Sequence, residues 1–204
     1  LYETALQYRD ELGATERPLP PNAAARFVMM ELIAMEDQGL LLLPYHRLIS
    51  DLSQEEIGSI RRRLEQFFQM EPIELDQDSV EAMAASMQRS LAQRPEDEVA
   101  VVALGLDGGK AQLLTLRQDL NPGADASSVE RCDMWVLHQK ALRPVLGEER
   151  ESSAVSFVHD AVEAVERVLT GEAQVALLLR PLPMDLLQEV VGKGERLPPK
   201  STYF

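Results

Sequence analysis

The chain has 204 residues, of which 45% are hydrophobic and 26% are charged, and its formal net charge at pH 7 is −14. A surface this acidic repels phosphate backbones and anionic lipids, so nucleic acid and membranes are not expected as partners. No apolar run approaches the roughly 20 residues of a bilayer span, there is no signal-peptide pattern, and Cys132 is the single cysteine. These features exclude an intrachain disulfide and predict a cytoplasmic protein.

The first predicted element is a helix that ends at Gly13. Its apolar face repeats at helical spacing through Leu1, Ala5, Tyr8 and Leu12. No capping residue precedes it and the chain does not begin with methionine, so we expect the carboxy-terminal part of a longer protein. We predict a single domain over residues 1–204, with a candidate subdivision into 1–95 and 96–204.

The next two apolar runs are predicted to form a hairpin. Residues 39–49, bounded by glycine and containing a proline, are typical of a buried strand that delivers His46 and Arg47. Residues 26–34 fit either a strand or a helix by periodicity alone. We predict a strand, because residues 36–39 suit a turn and the two runs would then form an antiparallel hairpin over 26–49.

Two helices follow, each with a start signal. Ser53 and Glu56 form a capping box before an apolar face that continues to Phe68. Asp78 with Glu81 is predicted to open the second helix, which closes before Pro95.

The clearest hairpin comes next, over residues 99–117, around Asp107, Gly108 and Gly109. Residues 105–111 resemble a phosphate-binding loop only superficially, because the spacing is one residue short and strands surround them. A helix is then predicted to begin near Ser127 or Asp133 and to end before Pro144.

The last quarter alternates between strands and helices. We predict strand 154–159, a helix capped by Asp160, strand 174–179 and a helix started by Pro183. The first three make a βαβ unit with parallel strands, and the last helix follows it. The predicted fold class is therefore α+β: a mixed β-sheet with antiparallel hairpins and one βαβ unit, with helices packed on the sheet.

Metal and nucleophile chemistry receive little support from the motifs. His46, His138 and His159 have no short ligand spacing, and no Cys-x-x-Cys pair exists, so no metal site is predicted. His138 is expected to be a packed or capping residue. The nucleophile elbow of hydrolases and the dinucleotide fingerprint are both absent from the sequence.

The candidate ligand-binding residues are two cationic clusters, His46-Arg47 and Lys200-Ser201-Thr202. Arg47 is predicted to clamp an anion, with Lys200 as a point charge and the two hydroxyls as donors. Neighbours on a strand point to opposite faces, so His46 is expected to hydrogen-bond or orient other groups. In the alternative, Arg47 pairs with a carboxylate of its own protein and Lys200 faces solvent.

Several short motifs also carry a family resemblance. They are Tyr2-Glu3-Thr4-Ala5-Leu6, Tyr8-Arg9-Asp10-Glu11, Val28-Met29-Met30, Leu43-Pro44-Tyr45-His46-Arg47-Leu48, Gly194-Glu195, Pro198 and Lys200-Ser201-Thr202-Tyr203-Phe204. On these motifs the chain resembles the domain of unknown function 1015 family from its first residue to its last. Members of that family are about twice as long, with an amino-terminal region similar to the ParB/sulfiredoxin fold. In them a Gly-His-His-Arg-type motif commonly precedes the first helix, and it is absent or altered here, since Leu1 stands where its arginine would fall.

The resemblance implies a function only by analogy. Some ParB/sulfiredoxin-like domains bind nucleotides and a few phosphorylate small molecules, which implies a nucleotide- or phosphometabolite-binding enzyme whose main motif lies upstream of residue 1. The implied partners are a small phosphorylated ligand and the amino-terminal domain of the same protein, and the catalytic residues and cofactor stay unknown. The alternative is a non-catalytic scaffold or dimerisation domain, which would form a homodimer.

Overall fold

The computed structural model describes residues 2–14, 19–29, 32–34, 37, 39–123 and 126–202. The chain forms two compact units, residues 1–40 and residues 41–204. In the first unit, helix α1 (Tyr2–Gly13) confirms the predicted opening helix. The single-domain organisation and the subdivision at residue 95 stay predictions.

The strand predicted over residues 26–34 is wrong for the part that the structure describes. Ala24–Arg26 forms a 3-10 turn, and residues 27–29 and 32–34 have no regular secondary structure. The apolar side chains that suggested a strand are exposed, Phe27 at 69% and Met29 at 100%. An apolar run becomes a strand only where a partner strand and a core accept it. Residues 35, 36 and 38 of the predicted turn lie outside the described residues.

Within the described part of the second unit, one six-stranded sheet carries helices on both faces. Its strands are β1 (His46–Ile49), β2 (Phe68–Ile73), β3 (Ala100–Asp107), β4 (Lys110–Leu116), β5 (Val155–Val158) and β6 (Val175–Leu178). Its helices are α2 (Gln54–Phe67), α3 (Val80–Ala92), α4 (Asp133–Val136), α5 (Arg143–Ala154), α6 (Ala161–Leu169) and α7 (Met184–Gly192). The predicted α+β class is confirmed. None of the described helices has both the length and the apolar character needed to cross a membrane.

The strands lie in the order β2-β4-β3-β6-β1-β5, and every described pair of neighbours is antiparallel. The predicted βαβ unit is β5, α6 and β6, whose strands point the same way because both are antiparallel to β1. Since β1 lies between them, the unit adds no parallel pair, and the sheet is antiparallel rather than mixed. All four residues of β1 are buried, as an interior strand requires.

The predicted hairpin over 99–117 is confirmed as β3 and β4. Gly108 and Gly109 form its turn, both with positive φ. Gly105 lies at an irregularity in β3, with φ at +98°. A Cβ at this position would lie 2.1 Å from the carbonyl oxygen of Gln174, so only glycine fits there.

The end of one helix and the start of the next differ from the predictions. The capping box of Ser53 and Glu56 starts α2 as expected, but Phe68 already begins β2, which was not predicted. β2 is an edge strand, where Pro72 can be accommodated. The second helix is capped by Ser79 rather than Asp78.

The helix expected to end before Pro144 continues to Ala154. A π-helical turn, Leu137–Leu142, joins α4 to α5, and Pro144 lies in the first turn of α5. Proline is accommodated there because the π-helical turn just before it already departs from the regular hydrogen-bond ladder of an α-helix. The helical geometry breaks later, at Gly147, where φ is 73°.

β1 separates two apolar cores. Ile49 packs in the core that contains α2 and residues 132–142, and Leu48 packs in the core that contains α3 and α6. Because side chains alternate along a strand, Arg47 lies on the Ile49 face and His46 on the Leu48 face.

Candidate anion-binding site

The guanidinium of Arg47 is fully buried and contacts three distant parts of the second unit. Its Nε donates to Nε2 of His138 at 3.2 Å, and its Nη2 donates to the carbonyl oxygen of Lys200 at 3.1 Å. Nη1 donates to the carbonyl oxygen of Tyr45. The guanidinium carbon lies 5.3 Å from the centre of the Phe157 ring, a cation–π distance.

His138 connects Arg47 to a carboxylate. Because Nε2 of His138 accepts from Arg47, a neutral imidazole carries its hydrogen on Nδ1, which lies 2.6 Å from Oε1 of Glu151. Nε of Arg143 donates to the other oxygen of Glu151 at 2.9 Å. We call Arg47, His138, Glu151 and Arg143 the Arg47 network.

The carboxyl group of Glu151 is held ionised by this network. Burial alone would raise its pKa, but the hydrogen bonds from His138 and Arg143 together outweigh burial and keep the pKa of Glu151 below its usual range. The network therefore contains a buried anion that both histidine and arginine stabilise.

Arg47 itself forms no ion pair with a carboxylate among the described residues. The alternative prediction was a direct pair between Arg47 and a carboxylate. In the structure, Arg47 is connected to the carboxylate of Glu151 through His138. Burial lowers the pKa of Arg47 to about 10, so the guanidinium stays charged at neutral pH. Buried charges are normally paired, and this one is surrounded by neutral acceptors.

The structure brings the tail residues to Arg47. The backbone of Lys200 has a φ of 57°, its carbonyl oxygen accepts from Arg47, and its Nζ lies 5.3 Å from the centre of the Tyr45 ring. Ser201 is buried, and its Oγ donates to the carbonyl oxygen of Pro198 at 2.5 Å. Thr202 is half-buried. The backbone of the Lys200-Ser201-Thr202 cluster therefore contacts Arg47 at Lys200.

A cleft of about 470 Å³ opens beside the network, within the range of small-molecule sites. Its walls include Trp135, His138, Arg143, Glu148, Glu151, Phe157, Arg196 and Pro198. Aromatic rings form part of this surface and the Arg47 network forms another part.

His46 lies apart from this cleft. Its side chain is on the opposite face of β1, and its Nδ1 accepts from the backbone N–H of Leu179 at 3.3 Å. His46 and Arg47 therefore do not face one cleft, in agreement with the alternation of side chains along the strand.

Sequence reasoning missed three members of the network, His138, Glu151 and Arg143. His138 and Glu151 are 13 residues apart, across a π-helical turn and the break at Gly147, so no regular helical spacing links them. Among the described residues, no group of three or more histidine, cysteine, aspartate or glutamate side chains is arranged to hold a metal ion.

The family model described as "Protein of unknown function (DUF1015)" matches residues 2–140, which is more than half of the chain. The chain belongs to this family. The match includes Arg47 and His138, but the tail cluster and Glu151 lie outside it.

Comparisons with individual proteins add little to the family assignment. No curated protein matches the chain. One solved structure, a free serine kinase mutant in complex with AMP, is 18% identical, with a TM-score of 0.41. The match covers 79% of this chain and 52% of the kinase chain, so this chain spans about half the length of that structure. Similarity at this level does not transfer a ligand or an activity.

Proposed function

We propose that the cleft beside the Arg47 network binds a nucleotide or another phosphorylated small molecule. The observation that supports this proposal is the fully buried guanidinium of Arg47, which contacts no carboxylate among the described residues. A buried cation surrounded by neutral acceptors creates a positive potential that an anionic ligand can balance.

The tail residues are the groups that would contact the phosphate. Lys200 is exposed and supplies an ammonium group, and Thr202 supplies a hydroxyl, while the hydroxyl of Ser201 already donates to Pro198 and holds the tail in place. Arg47 is enclosed, so it contributes its charge and holds the carbonyl group of Lys200 in place. His46 has no part in this site.

The charges and the aromatic walls favour a phosphate ester that carries a planar group. Two arginines and two carboxylates line the cleft, Arg143 and Arg196 against Glu148 and Glu151, and the excess of cations comes from Arg47 and Lys200, which adjoin its lining. This local excess lies in a chain whose net charge is −14. Trp135 and Phe157 offer ring surfaces on which a nucleobase can stack.

A thermal-shift titration tests the proposal, with AMP and ATP as probes and adenosine as the control without phosphate. A ligand at a concentration about 100-fold above its Kd stabilises the folded state by about 2.7 kcal/mol. We expect AMP or ATP to raise the melting temperature and adenosine to leave it unchanged.

Two lysine variants locate the binding. Lys200→Ala should weaken nucleotide binding about tenfold, because a charge-assisted hydrogen bond is lost. Lys193→Ala is the matched control, since Lys193 pairs with Glu189 on α7 at 2.8 Å, whereas Lys200 directly follows Pro199, which lines the cleft. Equal effects of the two variants, or no shift with either nucleotide, would contradict the proposal. A stable dimer by light scattering together with no shift would favour the scaffold or dimerisation function.

A further inference from the structure

The opposite face of β1 has a cavity of its own, of about 770 Å³. It lies where β1 begins and where β5 and β6 end, next to the first turn of α7. Its walls include His46, Leu91, Leu179, Arg180, Leu182 and Met184. The volume is that of a small-molecule site, and most of these side chains are apolar.

His46 presents a hydrogen-bond donor to this cavity. The side chain is 2% exposed, and its Nδ1 accepts from the N–H of Leu179. Burial, followed by the charge of Arg47, lowers the pKa of His46 to about 4, so the imidazole is neutral at pH 7. In a neutral ring whose Nδ1 accepts, Nε2 carries the hydrogen. This N–H has no partner among the described residues.

The first turn of α7 adds further donors. Met184 and Asp185 line the cavity, and the amides of a first helical turn have no acceptor within the helix. Pro183, the residue before α7, provides no side-chain cap. The helix has nine residues, so its dipole adds a partial positive charge at this end.

The fixed charges of the cavity select against a highly charged ligand. Its charged walls are Arg94, Glu96, Arg180 and Asp185. Both arginines are already paired, Arg94 with Glu98 at 2.9 Å and Arg180 with Asp133 at 3.2 Å. The two carboxylates are exposed and form no ion pair among the described residues, so they repel a phosphate dianion more strongly than a monoanion.

We propose that this cavity is a second ligand site, which binds a small and mainly apolar molecule that carries one carboxylate. The carboxylate accepts hydrogen bonds from Nε2 of His46 and from the first amides of α7, and the apolar body packs against Leu91, Leu179 and Leu182. The site is independent of the nucleotide cleft, because β1 separates the two.

Phenylacetate is the probe, with phenylacetamide and phenylphosphonate as matched probes that keep the ring and change the charge. Titration of the full chain is followed by nuclear magnetic resonance, through the imidazole nitrogens of His46 and the backbone amides of Met184 and Asp185. We expect phenylacetate to shift all three sets of signals and to bind more tightly than either matched probe. No shift up to the solubility limit, or tighter binding of phenylphosphonate, overturns the proposal.

His46→Asn is the variant that isolates the donor. Its side-chain oxygen can replace Nδ1 as the acceptor for Leu179, while the donor at the Nε2 position is lost. We expect the Kd of phenylacetate to rise about tenfold, the effect of one lost hydrogen bond to a charged group. An unchanged Kd contradicts the proposal. If the variant does not fold, the phenylacetate titration of the wild-type protein, followed at the imidazole nitrogens of His46, decides whether the donor is used.

Cross-titration distinguishes this site from the nucleotide cleft. Lys200→Ala should leave phenylacetate binding unchanged, and His46→Asn should leave AMP binding unchanged. Failure of nucleotide binding with intact phenylacetate binding removes only the proposed function, and the reverse result removes only this second site.

Discussion

Arg47 and His46 are neighbours on β1, almost equally buried, and burial leaves them in different charge states. Desolvation lowers the pKa of both side chains, to about 10 for Arg47 and to about 4 for His46. Because the guanidinium starts from 12.5, it stays charged at pH 7, whereas the imidazole starts from 6.5 and becomes neutral. One strand therefore places a fixed cation on one face of the sheet and a neutral donor on the other.

The hydrogen bonds of the two residues follow from this difference. A charged group cannot be left unsolvated, so Arg47 is surrounded by two carbonyl oxygens, the His138 nitrogen and the Phe157 ring. A neutral imidazole needs fewer polar partners than a guanidinium. His46 makes one hydrogen bond to the backbone and presents its other nitrogen to a cavity. The two faces thus suit ligands of different charge.

The largest effect on this comparison is expected from Arg47→Ala. The variant leaves two carbonyl oxygens and a histidine nitrogen without their donor and frees the tail at Lys200. Removing one member of a buried charge network costs about 3–5 kcal/mol. Denaturant unfolding monitored by circular dichroism measures the loss.

Arg62→Ala is the matched control, because Arg62 is exposed on α2 and an ordinary surface substitution changes stability by less than about 0.5 kcal/mol. A loss for Arg47→Ala no larger than that of the control would mean that the cation does not hold the tail.

The elements that were predictable from sequence are those fixed by local interactions. The β3–β4 hairpin is determined by the turn at Gly108 and Gly109, and α2 by its capping box, so both follow from neighbouring residues. The partners of β1 are not local. β5 and β6 lie more than 100 residues further along the chain, and nothing near β1 indicates that the run at 26–34 is not its partner.

The candidate site also has features that were predictable from sequence and features that were not. The alternation of His46 and Arg47 is a property of any strand and could be stated in advance, and the tail cluster was found by its residue types. The contact between Arg47 and Lys200 spans 153 residues, and the part played by His138 depends on the π-helical turn, which has no sequence signal of its own.

The second prediction concerns the pH dependence of stability on the His46 face. The folded state lowers the pKa of His46 from 6.5 to about 4, so between these values the unfolded state binds a proton that the folded state does not. The stability contributed by the neutral imidazole is therefore complete above pH 6.5 and is lost as the pH falls toward 4. The expected loss is at most about 1.4 kcal/mol per pH unit.

Asparagine does not titrate, so His46→Asn should lack this part of the pH dependence. The free energies of unfolding of the two proteins should differ by a constant amount above pH 6.5 and converge or cross below it. Parallel curves from pH 8 to pH 4 would show that His46 is protonated in the folded state at the same pH as in the unfolded chain.

The smallest effect is expected from Glu151→Gln on the Arg47 face. Glutamine keeps an acceptor for Nδ1 of His138 but removes the negative charge that His138 connects to Arg47. A hydrogen bond to a charged group is worth about 1 kcal/mol more than a neutral one, and we expect a loss of that size at pH 7. Because the folded state holds the pKa of Glu151 below the usual 4.5, the stability from its ionised form is present above pH 4.5 and is lost as the pH falls through the folded value. The difference in the free energy of unfolding between wild type and variant should therefore shrink below pH 4.5 in denaturant unfolding.

Glu149→Gln, an exposed change on the same helix, is the control and should show no such convergence. A difference that stays constant between pH 7 and acidic pH would mean that the negative charge of Glu151 does not balance the buried arginine, and that Arg47 is stabilised by its neutral acceptors alone.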